Sequence, residues 1–320
     1  MKASRAPVVI FAYRRPRHLE KVLKALVGQP EAGKTQIILF LDGARGSSDR
    51  SDVATVKKVA EETKGFRDVR ICTAEKNKGL ARSITEGVGA VCMEHGEAIV
   101  LEDDTVPLPG FLSFMNEALG KYRDNRNVMQ ISGYAYPIPN ETLSHVFLPL
   151  TSCWGWATWQ RAWTEYHWDP EEAQKDLQNP DFVQRFDLEG AYPYSQLLKD
   201  VVNGNSDSWA VVWYWNVFRC GGLSLFPSTS MVENIGWDGS GAHEEGQEDS
   251  FDACRRNISY DKFLWPSKID INPKDFEDVR NCIIQRELKK MANKQKKRWP
   301  LGAWGKLINY MMKNHNENAN

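Results

Sequence analysis

The stretch Ala98-Ile-Val-Leu-Glu-Asp-Asp-Thr-Val-Pro-Leu-Pro109 decides how the chain is read. Ala98 to Leu101 are apolar without interruption, the pattern of a strand buried on both faces of a parallel sheet. Glu102, Asp103 and Asp104 follow at once. A strand that ends in acids delivers them to the carboxyl edge of the sheet, where open α/β folds place their ligands. Three adjacent anions repel one another, and a divalent cation or a nearby arginine relieves them. The plainer alternative is an acidic turn with Pro107 and Pro109 as stops; the surrounding chain decides between them.

Upstream, Val8–Ala12, Ile37–Leu41 and Val69–Thr73 read as strands of the same kind. Helices are predicted from Pro16, with Leu19, Val22, Leu23 and Leu26 on one face, over Ser51–Lys64 and over Gly79–Cys92. Strands alternating with helices predict right-handed βαβ units and a parallel sheet. There is no GxGxxG after the first strand and no GxxxxGK[ST], so the dinucleotide and P-loop fingerprints are absent. Each strand ends instead in polar residues: Tyr13-Arg14-Arg15, Asp42-Gly43, Glu75-Lys76-Asn77-Lys78 and the acid triplet. Along one edge these supply cations for phosphates, an acid for a base or ribose, and acids for a metal.

Downstream, Phe111–Tyr122 reads as a helix and Val128–Ser132 as a strand, after which the pattern loosens. Helices are predicted over Ala157–Tyr166 and over Ser208–Phe218, the second capped by Asp207. A strand is predicted over Leu223–Phe226, a glycine-rich acidic loop over Asn234–Gly246, and a charged helix over Asp275–Lys290. All twelve tryptophans lie beyond Cys153, so the chain changes character near residue 150.

A length of 320 residues fits one large α/β domain with an appendage. The net charge of −1 provides no global field for nucleic acid, which is not an expected partner. Six scattered cysteines without metal-type spacing predict reduced thiols in a cytosolic protein. No apolar run is long enough to span a bilayer, so the expectation is a soluble or peripheral protein.

Taken in order, FAYRRPRHLEKVL, FLDG, NKGLARSITEGV, VLEDD…PGF, CWGWATWQRAW, DSW and NIGWDGSGAH resemble a nucleotide-sugar glycosyltransferase of the GT-A fold. Within that fold the chain looks most like bacterial family 2 enzymes and N-acetylglucosaminyltransferase I. The similarity runs from about Val8 to about Ser259, and it implies a Rossmann-like, mostly parallel sheet flanked by helices. It further implies that Arg15 contacts the nucleotide and that Asp42 bonds the uracil or ribose. Asn77, Gly79 and Arg82 would meet the base and diphosphate, Asp103 ribose or sugar hydroxyls, and Asp104 the metal. Asp207 of Asp-Ser-Trp matches the general base of an inverting transfer. The triplet is Glu-Asp-Asp rather than Asp-x-Asp, as in N-acetylglucosaminyltransferase I, where only the last acid touches the metal.

The chemistry agrees with these roles. A nucleoside diphosphate gains charge as it leaves, and Mn2+ or Mg2+ is a Lewis acid suited to it. Such an ion keeps several waters, so one carboxylate plus the diphosphate suffices. His243, inside Gly239-Ser-Gly-Ala-His243, is a candidate second ligand or phosphate contact, or a plain surface histidine. Arg15 and Arg82 sit at strand-to-helix junctions suited to anions, though most arginines are simply solvated. Asp42-Gly43 is also a common turn pair. Trp156, Trp159 and Trp163 recur at helical spacing and are expected as a buried stripe; Trp154, Trp209 and Trp237 are candidates to stack on a sugar.

From Arg286 to Lys313 nine basic residues face one acid, and Trp304, Leu307, Ile308 and Met311 follow at helical spacing. This reads as an anchor for an anionic membrane surface, the alternative being a helix packed on the domain. The whole predicts a donor half over 1–150, an acceptor half over 151–275 and a basic helical tail over 276–320. The expected activity is metal-dependent, inverting transfer from a UDP-sugar to a glycan or lipid-linked saccharide in bacterial surface polysaccharide synthesis. The expected location is the cytoplasm, at the inner face of the cell membrane. A nucleotidyltransferase on a similar fold would want a Gly-rich loop with a lysine after the first strand, which Tyr13-Arg14-Arg15-Pro16 does not provide. A non-catalytic carbohydrate binder is the alternative of another class.

Overall fold

The computed structural model describes residues 5–138, 144–240 and 263–296, with side chains as far as 292. The first half alternates as the pattern requires: β1 (Val8–Ala12), α1 (Pro16–Val27), β2 (Gln36–Leu41), α2 (Arg50–Glu61), β3 (Asp68–Thr73), α3 (Leu80–His95) and β4 (Glu97–Glu102). These four strands are mutually parallel, in the order β3-β2-β1-β4. Alternate residues feed opposite layers, as strand geometry demands. Val8, Ile10, Ile37 and Leu39 meet Leu19, Val22 and Val56 of α1 and α2. Val9, Phe11, Ile38 and Val100 meet Ile84, Val88 and Val91 of α3.

β4 is followed by the short β5 (Thr105–Pro107), by α4 (Phe111–Tyr122), and by β6 (Val128–Ser132) and β7 (Val146–Leu148). The next element departs from expectation. Trp156–Trp159 is not helical but a strand, β8, and the helix α5 that follows it is only Gln160–Trp163. β8 lies antiparallel between β4 and β6, pairing Ile99 with Ala157 and Ile131 with Ala157. Burial of the tryptophans holds, on different grounds: Trp156 packs with Trp163, Trp209 and Trp213 on the α3 side, while Trp159 enters the opposite layer.

Three short helices then cross a stretch that reads as loop: α6 (Pro170–Leu177), α7 (Pro180–Phe186) and α8 (Tyr194–Val202). Asp169 and Asn179 cap the first two through their side chains, each with proline at the next position. α9 (Trp209–Arg219) leads into β9 (Leu223–Phe226), parallel to β6, and β7 closes the eight-stranded sheet antiparallel to β9. β10 (Val232–Asn234) pairs antiparallel with β5, as a separate two-stranded sheet. α10 (Pro273–Lys296) packs through buried Val279 and Ile283, and Arg280 donates to the carbonyl of Leu188 at 2.9 Å. The apolar pattern from Trp304 to Met311 lies outside the described residues. The architecture is therefore a mostly parallel sheet flanked by helices. None of the described helices is long and apolar enough to cross a membrane.

Candidate active site

The carboxyl ends of β1, β2 and β4 and the loop before α3 enclose a cleft of 340 Å³. Tyr13, Arg14 and Arg15 form one wall, Asp42, Arg45, Asn77 and Gly79 another, and Glu102, Asp103 and Asp104 the floor. Register accounts for the floor: Glu102 stands opposite Phe11 of β1, and the Asp103 amide donates to the Phe11 carbonyl at 3.0 Å. That bond keeps the Asp103 backbone in line with β1 one residue past the end of β4.

Arg15 neutralises this floor. Its guanidinium pairs with Asp103 Oδ1 and, through Nη1, with Asp104 Oδ2 at 2.9 Å. Burial works against the charge of Arg15, but the two carboxylates outweigh it and hold the guanidinium protonated. Burial likewise lifts the carboxyl of Asp103, with Arg15 pulling the other way. Glu102 is pushed up to about 8, first by burial and then by the charges of Asp104 and Asp103.

Asp104 is bracketed by the segment that follows β10. The Ile235 amide donates to the Asp104 carbonyl at 2.9 Å, and a Cβ at Gly236 would stand 2.3 Å from Asp104 Oδ2. Glycine lets the backbone lie against that oxygen, which also takes the Arg15 contact. Hard carboxylate oxygens on the floor of a cleft suit a divalent cation of the Mn2+ or Mg2+ type. Among the described residues no three His, Cys, Asp or Glu side chains converge on one point. His243 lies outside the described residues. His18, which has no signal in the sequence, ties this segment to α1: its Nε2 lies 3.2 Å from the Ile235 carbonyl and 3.2 Å from Asp238 Oδ2.

Asp42 is buried at the end of β2, and each of its oxygens accepts two hydrogen bonds. Oδ1 takes the amides of Gly43 at 2.9 Å and Lys78 at 2.8 Å; Oδ2 takes Asn77 Nδ2 at 2.9 Å and the Gly79 amide at 2.9 Å. Asn77 also donates to the Gly43 carbonyl at 2.8 Å and accepts from Arg45 Nε at 3.2 Å. Arg45 is a second residue that sequence reasoning misses. It lies over the Tyr13 ring at 5.7 Å, and the Tyr13 hydroxyl is bonded to Asp49 at 2.5 Å. Arg82 does not line the cleft; its side chain is 69% exposed and pairs with Glu86 at 2.6 Å.

Asp207 is exposed just before α9, whose N-cap is Ser208, which makes no side-chain cap hydrogen bond. The amino end of α9 lies at the carboxyl edge of the sheet, because Trp209 stacks on Trp156, which pairs with Val100 and Ser132. Asp207 is therefore on the same edge as the acid triplet but outside the lining of the cleft. Trp209 is buried and unavailable to a sugar. Trp154 and Trp237 are half-buried and meet edge to face at 6.1 Å, with Tyr134 against Trp154 at 5.2 Å.

The family model described as Glycosyl transferase family 2 matches residues 8–182, more than half of the chain. No curated protein matches by sequence. Among solved structures, the chain is similar to a mannosyltransferase from Pyrobaculum calidifontis in complex with GDP-Man and Mn2+. That match has 10% identity and a TM-score of 0.37, and covers 67% of this chain and 73% of the other. A second is GalNAc-T7 with UDP, GalNAc and Mn2+, at 14% identity and a TM-score of 0.44, covering 94% of this chain but only 59% of that one. A third is mouse xyloside xylosyltransferase 1 in its apo form, at 10% identity and a TM-score of 0.35, covering 66% and 80%.

Proposed function

The chain belongs to glycosyl transferase family 2, and we propose that it moves a sugar from a nucleotide-sugar, a UDP-sugar in the first instance, to a saccharide or lipid-linked saccharide. The observation that carries this reading is the cleft itself. Its floor gathers three acids and its wall an arginine already paired to two of them. A diphosphate entering there meets Arg15, whose planar fork suits phosphate oxygens as well as carboxylates. Asp104 would hold Mn2+ or Mg2+, whose charge offsets that of the leaving diphosphate. Arg14, half-exposed at the mouth, adds a second cation on the approach.

Inversion is a single displacement, so one carboxylate must take the acceptor proton on the face opposite the leaving group. Asp207 suits that duty: it is exposed, it stands on the same sheet edge as the triplet, and it is not spent capping α9. The paired Trp154 and Trp237 rings suit the apolar face of an acceptor sugar. The acceptor would belong to bacterial surface polysaccharide synthesis, reached from the cytoplasmic face of the membrane. Exposed Leu288 and Met291 beside Lys289 and Lys290 on α10 start an amphipathic basic surface in keeping with that location.

Calorimetric titration of UDP with and without Mn2+, on wild type and Asp104→Ala, tests the reading. Wild type should bind UDP about tenfold more tightly, or better, with the metal. The variant should lose that gain while keeping its fold. Equal UDP affinity in Mn2+ and in EDTA for the wild type refutes metal dependence.

A further inference from the structure

The contacts around Asp104 are arranged from α1. Arg15 is the N-cap of that helix and meets Asp104 Oδ2 directly at 2.9 Å. His18, three residues on, does not line the cleft; its side chain is 12% exposed and faces the segment after β10. Side chains three apart lie on one side of a helix, so the two leave α1 together. The segment quits its ladder with β5 at Asn234, opposite Thr105, and then turns, the Gly236 amide donating to Asn234 Oδ1 at 2.8 Å. That turn lays Gly236 against Asp104 Oδ2, the same oxygen on which Arg15 bears. The carboxylate is thus confined by a guanidinium and by a backbone.

Both atoms that His18 Nε2 meets are acceptors, the Ile235 carbonyl and Asp238 Oδ2, each at 3.2 Å. Nε2 must therefore carry a hydrogen and donate, whatever the state of Nδ1. The carbonyl it holds belongs to the peptide between Ile235 and Gly236, and the Ile235 amide on the other side donates to the Asp104 carbonyl at 2.9 Å. Asp238 divides its carboxylate. Oδ2 faces His18, while Oδ1 accepts the Ser240 amide at 3.0 Å and the Ser240 hydroxyl at 2.6 Å, and Ser240 lines the cleft. One ring nitrogen secures both the peptide against Asp104 and the turn that brings Ser240 to the cleft.

Given that Asp104 holds the divalent cation, we propose that His18 is a positioning residue for it: the Nε2–H fixes the Ile235–Gly236 peptide, and the peptide fixes the Asp104 carboxylate. The two confining contacts differ in kind. A diphosphate competes for Arg15, because a guanidinium fork suits phosphate and carboxylate oxygens alike. Gly236 meets Asp104 with its backbone, and a diphosphate offers that backbone nothing in exchange. Once Arg15 turns to the diphosphate, the peptide held by His18 is what limits rotation of Asp104. A carboxylate ordered in this way takes a cation without losing rotamer freedom at that moment. Groups that orient a metal-binding side chain from behind commonly account for about ten- to hundredfold in metal affinity.

Two variants of the full-length protein separate the hydrogen from the ring. His18→Phe keeps a ring and removes the N–H, whereas His18→Gln gives up the ring but can place an N–H at the same reach. In His18→Phe the Ile235 amide should exchange hydrogen about tenfold faster than in wild type, or more, a readout of local opening that needs no ligand. UDP affinity in Mn2+ should fall about tenfold, the low end for a group that orients a metal-binding side chain. UDP affinity in EDTA should stay at the wild-type level, because Arg15 is untouched. His18→Gln should bring exchange and affinity back to near wild type. Wild-type exchange at Ile235 in His18→Phe overturns the hold on the segment. Equal losses of UDP affinity in Mn2+ and in EDTA overturn the positioning role, since the cleft as a whole is then disturbed. A Gln variant as impaired as the Phe variant overturns the assignment to the N–H. If wild type binds UDP equally in Mn2+ and in EDTA, the metal reading fails, while the exchange arm still decides whether His18 holds the segment.

Discussion

Gly236 lies so close to Asp104 that a Cβ on it would stand 2.3 Å from Asp104 Oδ2 and 3.0 Å from Cγ. Real side chains do not approach so closely, so any other residue after Ile235 requires the carboxylate or the segment to shift. Gly236→Ala is therefore expected to push the segment off Asp104. UDP affinity in Mn2+ should fall about tenfold or more, while stability drops by only about 1 kcal/mol, as for an ordinary single substitution. Calorimetry alongside urea melts measures both, and unchanged affinity would show that the contact is incidental.

Asp207→Asn separates proton transfer from structure. Asparagine keeps the size and polarity of the side chain but accepts no proton. Turnover should fall by roughly a hundredfold or more, the usual consequence of removing a general base. UDP affinity and melting temperature should stay near wild type, since Asp207 neither lines the cleft nor caps α9. Wild-type turnover in the variant would transfer the role to another carboxylate, with Glu244, Glu245 and Glu248 the next to test.

His145 makes stability depend on pH. It is 3% exposed among Phe114, Phe263 and Trp265, its Nδ1 accepts the Ser228 amide at 3.0 Å, and its Nε2 has no partner among the described residues. Burial pushes its pKa down to about 4, against an ordinary value near 6.5. Below about pH 6.5 the unfolded chain binds a proton that the folded chain refuses. Its contribution is thus intact above about pH 6.5 and is lost as pH falls from there towards 4, by about 1.4 kcal/mol per unit at most. Urea melts of wild type and His145→Gln should run parallel above about pH 6.5 and diverge below it. Curves that stay parallel down to about pH 4.5 would remove His145 as the cause.

The basic end of the chain should bring the enzyme to anionic bilayers. Deleting residues 285–320 is expected to abolish co-sedimentation with anionic vesicles while leaving activity on a soluble acceptor analogue. Salt near 1 M, where the screening length is about 3 Å, should release the full-length protein. Equal sedimentation of both forms would rule the anchor out.

How much of the fold the sequence makes legible follows from where the information sits. Val8–Ala12, Val128–Ser132 and Leu223–Phe226 are strands with the bounds their apolar runs mark, and α4 spans Phe111–Tyr122 as its pattern requires. β8 misleads because tryptophans at 156, 159 and 163 imitate a helical stripe, whereas the strand's partners, β4 and β6, are remote in sequence. α6 and α7 carry a usable signal, Asp169-Pro170 and Asn179-Pro180, obscured by their short length. In the site, the acid triplet and Arg15 stand at strand ends and are found by position alone. The saturation of Asp42 is invisible in sequence, since three of its four donors come from another loop. Arg45 and His18 show no local pattern at all; their partners, Asn77 and Ile235, declare them only in the fold.

The antiparallel strand β8 also sets the order in which the chain can be completed as it is made. β4 leaves the ribosome with Val100 and Ile99 on an unpaired edge, and the strand that covers it begins only at Trp156. At roughly 5–20 residues per second, that edge stays bare for about three to eleven seconds of synthesis. Throughout that interval the nascent chain carries an apolar, open strand of the kind that pairs with other chains. The tryptophan-rich segment thus does more than fill a core: its arrival covers the open edge of β4.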